Sequence, residues 1–245
     1  MTSASTAARF RKVLLFEELT DEQLAAVMAK STIRQYPKGH ELLSIDDTDT
    51  DVFFILCGLV QVRNYSPNGR ECIYSEIPAG GIFGEFSAID GKPRSASVTA
   101  IDETLVGRMS SAHFLSLLRS DFSIALDVLK LLTAKSRALT DRLLERSSLN
   151  MRARLRAELV RLARDGRRNS SSVTIQPAPT HYELAARVGS HREAVTKELN
   201  QLEALGHIRV RRREIVILDV DKFNDDPPTA HRAEPVSSRP GFPNG

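Results

Sequence analysis

The spacing of the apolar residues changes near Phe122, and this change most limits what the chain can fold into. Before it, short apolar and β-branched runs recur between turns, a pattern typical of β-strands. After it, apolar residues recur at alternating steps of three and four, the seven-residue period of a coiled-coil helix. The sequence therefore predicts a β-rich N-terminal part followed by one long helix.

The β-type runs are short and are separated by turns that contain glycine, proline or aspartate. They cover residues 41–44, 52–56, 59–62, 72–74 and 97–100. Strands of this length and spacing favour a sandwich-like or jelly-roll barrel over a parallel sheet. Upstream of them, Thr20 and Gln23 predict a capping box that opens a short helix reaching Lys30.

The long helix carries two apolar stripes. The first consists of Phe122, Ala125, Leu129, Leu132, Ser136, Leu139 and Leu143. The second, formed by Val128, Leu131 and Ala138, can pack on the chain's own barrel and leave the first stripe for a partner. The alternative is a helix that packs on its own barrel alone. Because twofold oligomers are common, we expect a homodimer formed through this helix.

Two short capped helices follow in the C-terminal part, after a predicted polar loop at residues 167–172. Capping boxes at Thr180 and at Ser190 open them, and Gly189 ends the first. Their predicted core faces are Leu184, Ala185 and Val188, then Val195, Leu199, Leu202 and Leu205. With β-type runs at 208–210 and 215–218 behind them, these helices predict a winged helix-turn-helix.

Basic residues crowd the same region, between Arg152 and Arg213, although the net charge of the chain is only +3. Such clustering favours a polyanionic partner, but a charge run is often no more than a solvated face. Past Asp221 the tail has too little apolar content to fold, and we expect disorder there.

Composition excludes several classes of protein. No apolar run approaches the length of a membrane span, and the apolar run near the start is too short for a signal peptide, so we expect a cytoplasmic protein with no membrane partner. Cys57 and Cys72 lack the spacing of a metal or iron–sulfur site and are expected to be reduced core or near-core thiols. No nucleophile–base set stands out, so neither an enzyme nor a metal site is expected.

The glycine-rich turn within residues 83–98 places a carboxylate, Glu85, nine positions before a guanidinium, Arg94. Backbone N–H groups at Gly84, Glu85 and Phe86 can form an anion-binding concavity. Arg94 would add a charged fork for phosphate oxygens, and Glu85 would accept a hydrogen bond from a ribose hydroxyl. The alternative is an ordinary surface turn with an Arg–Glu ion pair.

This run resembles the phosphate-binding cassette of cyclic-nucleotide-binding domains, which reads Phe-Gly-Glu, about nine residues, then Pro-Arg-small-Ala. With the winged helix-turn-helix, the chain resembles the Crp/Fnr family of transcription regulators from about Leu14 to Leu218. The resemblance implies an α+β fold. Its parts are a β-roll cyclic-nucleotide-binding domain (1–121), a dimerisation helix and hinge (122–149), a winged helix-turn-helix (150–222) and a disordered tail (223–245).

The resemblance implies allosteric control of DNA binding. A cyclic nucleotide would control a homodimer that binds inverted-repeat DNA with TGTGA-like half-sites, and RNA polymerase would be a partner. Two alternatives within this class are a vestigial pocket, with constitutive DNA binding, and control by another small ligand. A regulatory module of an enzyme or channel, or a haem or redox sensor, fits the sequence less well.

The nucleotide contacts implied by the family fall on the cassette and on the long helix. In the cassette they are Gly84, Glu85, Phe86, Ser87, Arg94, Ser95 and Ala96. On the helix, Thr140 supplies one hydroxyl for the purine, but Leu139 stands where the family has a second. This departure leaves cyclic GMP possible, although cyclic AMP is favoured. Lys135 either approaches Glu85 across the pocket or is a solvated helix lysine.

The DNA contacts implied by the family lie on the helix that begins at Ser190. Arg192 can pair with guanine, and Glu193 can accept from cytosine unless it folds back on Ser190 as a capping residue. Lys197 replaces a family arginine and exchanges a fork for a point charge. Expected neighbours of the DNA backbone are Ser190, His191, Arg209 and, more weakly, His181.

Overall fold

The chain folds into two units, Met1–Leu143 and Leu144–Gly245, in the computed structural model. The structure describes residues 3–164, 166–169, 171–220 and 223. The tail expected at 223–245 lies outside the described residues except for Phe223.

The first unit contains two antiparallel four-stranded sheets. One has the order β1 (Thr32–Tyr36), β8 (Thr104–Met109), β3 (Val52–Cys57), β6 (Ile82–Phe83), and the other β2 (Glu41–Leu43), β7 (Ser97–Ala100), β4 (Leu59–Tyr65), β5 (Glu71–Pro78). Side chains from both sheets share one core, formed by Leu43, Phe53, Ile55, Val60, Phe83, Val98 and Val106. The predicted β-roll is confirmed, although β1, β6 and β8 were not among the predicted strands.

Helices cover a second core in the same unit. They are α1 (Ser3–Phe10), a 3₁₀ turn (Leu14–Phe16), α2 (Asp21–Ala29), α3 (Glu85–Asp90), α4 (Ser111–Ser120) and α5 (Phe122–Ser148). The capping box of α2 forms as predicted, since Thr20 N–H donates to Gln23 Oε1 at 2.8 Å and Gln23 N–H donates to Thr20 Oγ1 at 3.2 Å. The expectation of a core or near-core thiol is wrong for Cys57, which is exposed at the end of β3.

The long helix α5 buries one face and exposes another. Ile124 and Val128 are buried in the helical core, and Leu131 and Leu132 pack beside them. Four residues of the predicted partner stripe are more than half exposed: Phe122, Leu129, Leu139 and Leu143. Two assignments change, because Leu132 packs on the chain's own core and Ala138 is exposed. The predicted partner stripe is therefore exposed for contact with a second chain mainly at its two ends.

Asp121 caps the first turn of α5. Its Oδ1 accepts hydrogen bonds from the backbone N–H and the hydroxyl of Ser123, at 3.0 and 2.6 Å. The Ser123 side chain is the main cause that lowers the pKa of the Asp121 carboxyl below its ordinary value. Because the folded pKa is depressed, this stabilisation is present above about pH 3.9 and disappears as the pH falls through the folded value.

Asp121→Ala is therefore expected to lower the free energy of unfolding by about 1 kcal/mol at pH 7, the usual effect of losing an N-cap. Urea unfolding at pH 7 and near pH 3 measures it, and the difference from the wild-type chain should shrink at the lower pH. Asp127→Ala, which removes a surface partner of Lys130, is the control and should leave the free energy of unfolding nearly unchanged at both pH values. An Asp121→Ala loss of equal size at both pH values would contradict the capping role.

The second unit packs three helices against a sheet. The helices are α6 (Met151–Ala163), α7 (His181–Val188) and α8 (Arg192–Ala204), and the sheet has the order β11 (Ile208–Arg211), β12 (Glu214–Ile217), β10 (Ser172–Ile175), β9 (Arg167–Asn169). The polar loop expected at 167–172 is wrong, because residues 167–169 form β9, which pairs with β10. Phe223 also packs into this core, although it was assigned to the tail.

Candidate functional site

The turn between β6 and α3 requires a glycine. Gly84 has a φ of 84°, in the left-handed region, and is the N-cap of α3. A Cβ at this position would lie 2.7 Å from Asp51 O and 2.9 Å from Arg94 Nη1. Glycine is needed here both for its backbone conformation and for the close approach of its neighbours.

Arg94 is buried against this turn, with only 3% of its surface exposed. Its Nη1 donates to Gly84 O at 2.9 Å, and its Nη2 donates to Asp51 O at 2.8 Å. Its Nε donates to Asp49 Oδ1 at 2.7 Å. The guanidinium predicted to meet a phosphate is thus held rigidly beside the glycine turn.

A second arginine lies in the same network. Arg108 Nε pairs with the Asp51 carboxylate, and Arg108 Nη2 lies 3.8 Å from Asp49 Oδ2. The guanidinium carbons of Arg94 and Arg108 both lie 5.9 Å from the centre of the Phe53 ring. Sequence reasoning missed Asp49, Asp51 and Arg108, because they come from a loop and a strand far from the cassette in sequence.

Glu85, the carboxylate predicted to bind ribose, is also buried, with 2% of its surface exposed. Lys135 on α5 donates to Glu85 Oε1 at 2.6 Å, and its Nζ lies 5.7 Å from the centre of the Phe86 ring. Of the two alternatives for Lys135, the approach to Glu85 is the one that the structure contains. The pair joins the cassette to the long helix.

The remaining cassette residues are less tightly placed. Ser87 is buried, Phe86 and Ser95 are exposed, and Ala96 is half-buried. Thr140 is exposed on α5, where its hydroxyl donates to Ser136 O of the same helix at 3.1 Å. The structure therefore brings Gly84, Glu85, Arg94 and Lys135 together, whereas Thr140 bonds to its own helix.

The helix-turn-helix forms with one change at the turn. The Thr180 capping box and the left-handed Gly189 are as predicted. The Ser190 capping box is wrong: α8 begins at Arg192 with His191 as its N-cap and no side-chain cap. The reason is that Ser190 N–H donates to Ala185 O at 2.9 Å and so closes α7 instead. Leu205, predicted to face the core, lies after the end of α8 and is exposed.

The first turns of α8 present the predicted base-reading side chains to solvent. Arg192, Glu193 and Lys197 are exposed, as is Arg209 on β11. Since the Ser190 capping box is not formed, Glu193 is not held back on Ser190. The weakly predicted His181 has its Nδ1 2.8 Å from Thr196 Oγ1, a contact that links α7 to α8.

Several arginines of the basic region serve the fold of the second unit. Glu158 and Glu198 are buried, at 3% and 5% exposure. Glu158 pairs with Arg161 and Arg187, and Glu198 pairs with Arg152 at 3.0 Å. The charge that can meet a polyanion is therefore smaller than the sequence count indicates.

The cassette and the helix-turn-helix each lie in a segment that matches a known domain family. The cyclic nucleotide-binding domain family matches residues 33–121, and the Crp-like helix-turn-helix domain family matches residues 153–225. The chain belongs to the Crp/Fnr family. It is a DNA-binding transcription regulator with a cyclic nucleotide-binding domain, and its family consists of regulators rather than enzymes.

Relatives of this Crp/Fnr chain span nearly its whole length. A CRP-like cAMP-activated global transcriptional regulator of Mycobacterium tuberculosis is 25% identical over 85% of this chain and 94% of its own length. The cyclic AMP receptor protein of Thermus thermophilus is 27% identical over 85% and 96%. Among solved structures, a CooA variant from Carboxydothermus hydrogenoformans has a TM-score of 0.75 at 20% identity, covering 87% and 94% of the two chains, which shows a shared fold.

The described residues include neither a membrane-spanning helix nor a cluster of metal-binding side chains. No described helix of this Crp/Fnr chain combines the length and apolarity that a membrane span needs. In the same residues, no group of three or more His, Cys, Asp or Glu side chains is placed to hold a metal ion.

Proposed function

We propose that this chain is a homodimer whose binding to inverted-repeat DNA is controlled by a cyclic nucleotide, with cyclic AMP preferred over cyclic GMP. The observation that carries the proposal is the convergence of two buried groups on one turn. Arg94 bonds to Gly84 O, and Glu85 follows Gly84 directly. A guanidinium for the phosphate and a carboxylate for the ribose are the groups that a cyclic nucleotide requires.

The preference for cyclic AMP is supported by the names of the relatives, which specify cAMP. The long helix offers Thr140 for the purine, while Leu139 provides no hydroxyl beside it. The regulators named in these comparisons act in transcription, so we include RNA polymerase as a partner and the cytoplasm as the site of action.

A second candidate is a regulator of the same family in which no nucleotide acts. The observation in its favour is that both recognition groups already have partners within the chain. Arg94 pairs with Asp49, and Glu85 pairs with Lys135. A ligand controls DNA binding only through its differential affinity for two states, so a filled site with no nucleotide affinity would leave DNA binding constitutive.

Calorimetric titration separates the two candidates. Cyclic AMP and cyclic GMP are titrated separately into the purified chain, and DNA binding is measured at saturation with each. We expect heat of binding with cyclic AMP at lower concentrations than with cyclic GMP, together with tighter DNA binding. No heat with either nucleotide and unchanged DNA affinity would refute the proposal and favour the second candidate.

The proposed dimer is tested on the exposed stripe of α5. Leu139→Glu is expected to convert the dimer to a monomer at micromolar concentration, because the charge would be buried in an apolar seam. Sedimentation velocity measures the change. Ala134→Glu introduces the same charge on the opposite face of α5 and should leave the dimer intact. Equal sedimentation of the two variants would contradict dimerisation through this stripe.

A further inference from the structure

Arg94 has a counter-anion within the chain, the carboxylate of Asp49. Asp49 Oδ1 accepts from Arg94 Nε at 2.7 Å and also pairs with Nη2. Nε and Nη2 form an edge of the guanidinium that can grip a carboxylate or a phosphate with two hydrogen bonds. Asp49 therefore occupies an edge that an incoming phosphate can use.

Asp49 is the partner of Arg94 that can leave most easily. The other acceptors, Gly84 O and Asp51 O, are main-chain atoms next to strands β6 and β3. The Asp49 side chain is 39% exposed, whereas that of Arg94 is 2% exposed. Rotation of Asp49 into water would free one edge of Arg94 without moving a strand. Arg108 Nη2, 3.8 Å from Asp49 Oδ2, keeps a cation near the displaced carboxylate.

The loop that carries Asp49 is fastened to the backbone of Arg94. Asp46 N–H donates to Arg94 O at 3.2 Å, and Arg94 N–H donates to Asp47 O at 2.9 Å. These two bonds do not involve the Asp49 side chain, so they can persist when it leaves. The exchange therefore requires rotation of one side chain rather than opening of the loop.

We infer that Asp49 is a built-in competitor for the phosphate of the nucleotide, and that exchange of its carboxylate for the phosphate sets the affinity of the site. This inference rests on the proposed function. The carboxylate and a cyclic phosphodiester each carry one negative charge, so the buried guanidinium stays neutralised before and after the exchange. The nucleotide gains only the difference in binding free energy between its phosphate and the Asp49 carboxylate. This smaller gain raises the nucleotide concentration at which the regulator responds.

The competition is tested by calorimetric titration of cyclic AMP into Asp49→Asn and a matched control, Asp46→Asn. Both variants remove one negative charge from the same loop. Asp46 has a φ of 70°, a left-handed conformation that asparagine tolerates. Asp49→Asn is expected to bind cyclic AMP about tenfold more tightly than the wild-type chain, the equivalent of about one charged hydrogen bond. Asp46→Asn should stay within about twofold of wild type, because the remaining effect is a screened surface charge.

Thermal unfolding with inorganic phosphate tests the same exchange without a nucleotide. Asp49→Asn leaves the buried guanidinium without its anion, so it should melt below Asp46→Asn in phosphate-free buffer. Added phosphate should restore Asp49→Asn selectively, measured against chloride at equal ionic strength. This selectivity is expected because the added oxyanion takes the place of the missing carboxylate.

The outcomes distinguish this inference from the proposed function. If Asp49→Asn binds cyclic AMP no more tightly than Asp46→Asn while the wild-type chain binds it, the competitor role is overturned and the proposed function stands. Absence of selective rescue by phosphate also overturns the competitor role. If no variant binds cyclic AMP or cyclic GMP but phosphate rescues Asp49→Asn alone, the proposed function fails and the exchange of anions at Arg94 stands.

Discussion

Arg94→Gln is expected to weaken binding of the cyclic nucleotide by about 100-fold, because a buried charged hydrogen-bond pair contributes about 1.5–3 kcal/mol. Glutamine retains polarity and part of the length but supplies neither the positive charge nor the two-pronged donor edge. The nucleotide-dependent gain in DNA affinity should disappear with it. Basal nonspecific DNA binding should persist, since the second unit is unchanged. Calorimetry and DNA-binding assays on the same preparation measure the two effects.

Two variants separate the phosphate role of Arg94 from its structural role. Arg108→Gln breaks the neighbouring pair with Asp51 but leaves Arg94 in place, so its nucleotide affinity should fall by only a few-fold. Arg94→Lys keeps the charge without the planar fork, so its nucleotide affinity should lie between those of Arg94→Gln and Arg108→Gln. Wild-type nucleotide affinity in a folded Arg94→Gln protein would refute the assignment of Arg94.

The elements that could be predicted from sequence are those with strong local signals. The capping boxes at Thr20 and Thr180 and the left-handed Gly189 depend on neighbouring residues alone, and each forms as predicted. Strand β1 was missed because four of its five residues are exposed and show no alternation. Strand β8 is almost fully buried and contains a glycine, so it also lacks a period of two.

The Ser190 capping box shows how two local signals can compete for one residue. Its sequence fits a cap for α8, but Gly189 turns the chain so that Ser190 N–H completes the end of α7. The next helix then begins after His191. Local patterns alone could not decide between these two uses, because each satisfies backbone groups of a different helix.

The cassette could be predicted from sequence, but its ion pairs could not. Glu85 and Arg94 lie in one continuous motif, whereas Asp49 and Arg108 are 45 and 57 positions from their partners Arg94 and Asp51. Arg108 meets Asp51 because β3 pairs with β8, which aligns Phe53 with Arg108, and that register follows from the packing of the whole core. Asp49 meets Arg94 because the backbone of Asp46 and Asp47 bonds to the backbone of Arg94. Neither arrangement can be predicted from a local sequence pattern.

Arg192→Gln is expected to weaken binding to the preferred DNA site by about 100-fold, since one bidentate contact to guanine is worth about 1–3 kcal/mol and a dimer makes it in both half-sites. The exposed Arg192 opens α8, the position from which a recognition helix reaches base edges. The preferred site is first selected with the wild-type chain from a randomised DNA pool. Competition binding then compares this site with variants altered at the guanine.

Arg209→Gln is the matched control, because Arg209 is exposed on β11 and is assigned to the DNA backbone. Its loss should weaken binding to all sequences alike and reduce the slope of log affinity against log salt by about one per half-site. Arg192→Gln should instead relax discrimination at the guanine. If both variants lost affinity uniformly with unchanged sequence preference, Arg192 would be a phosphate contact. Base reading would then fall to Glu193 and Lys197, which share the exposed first turns of α8.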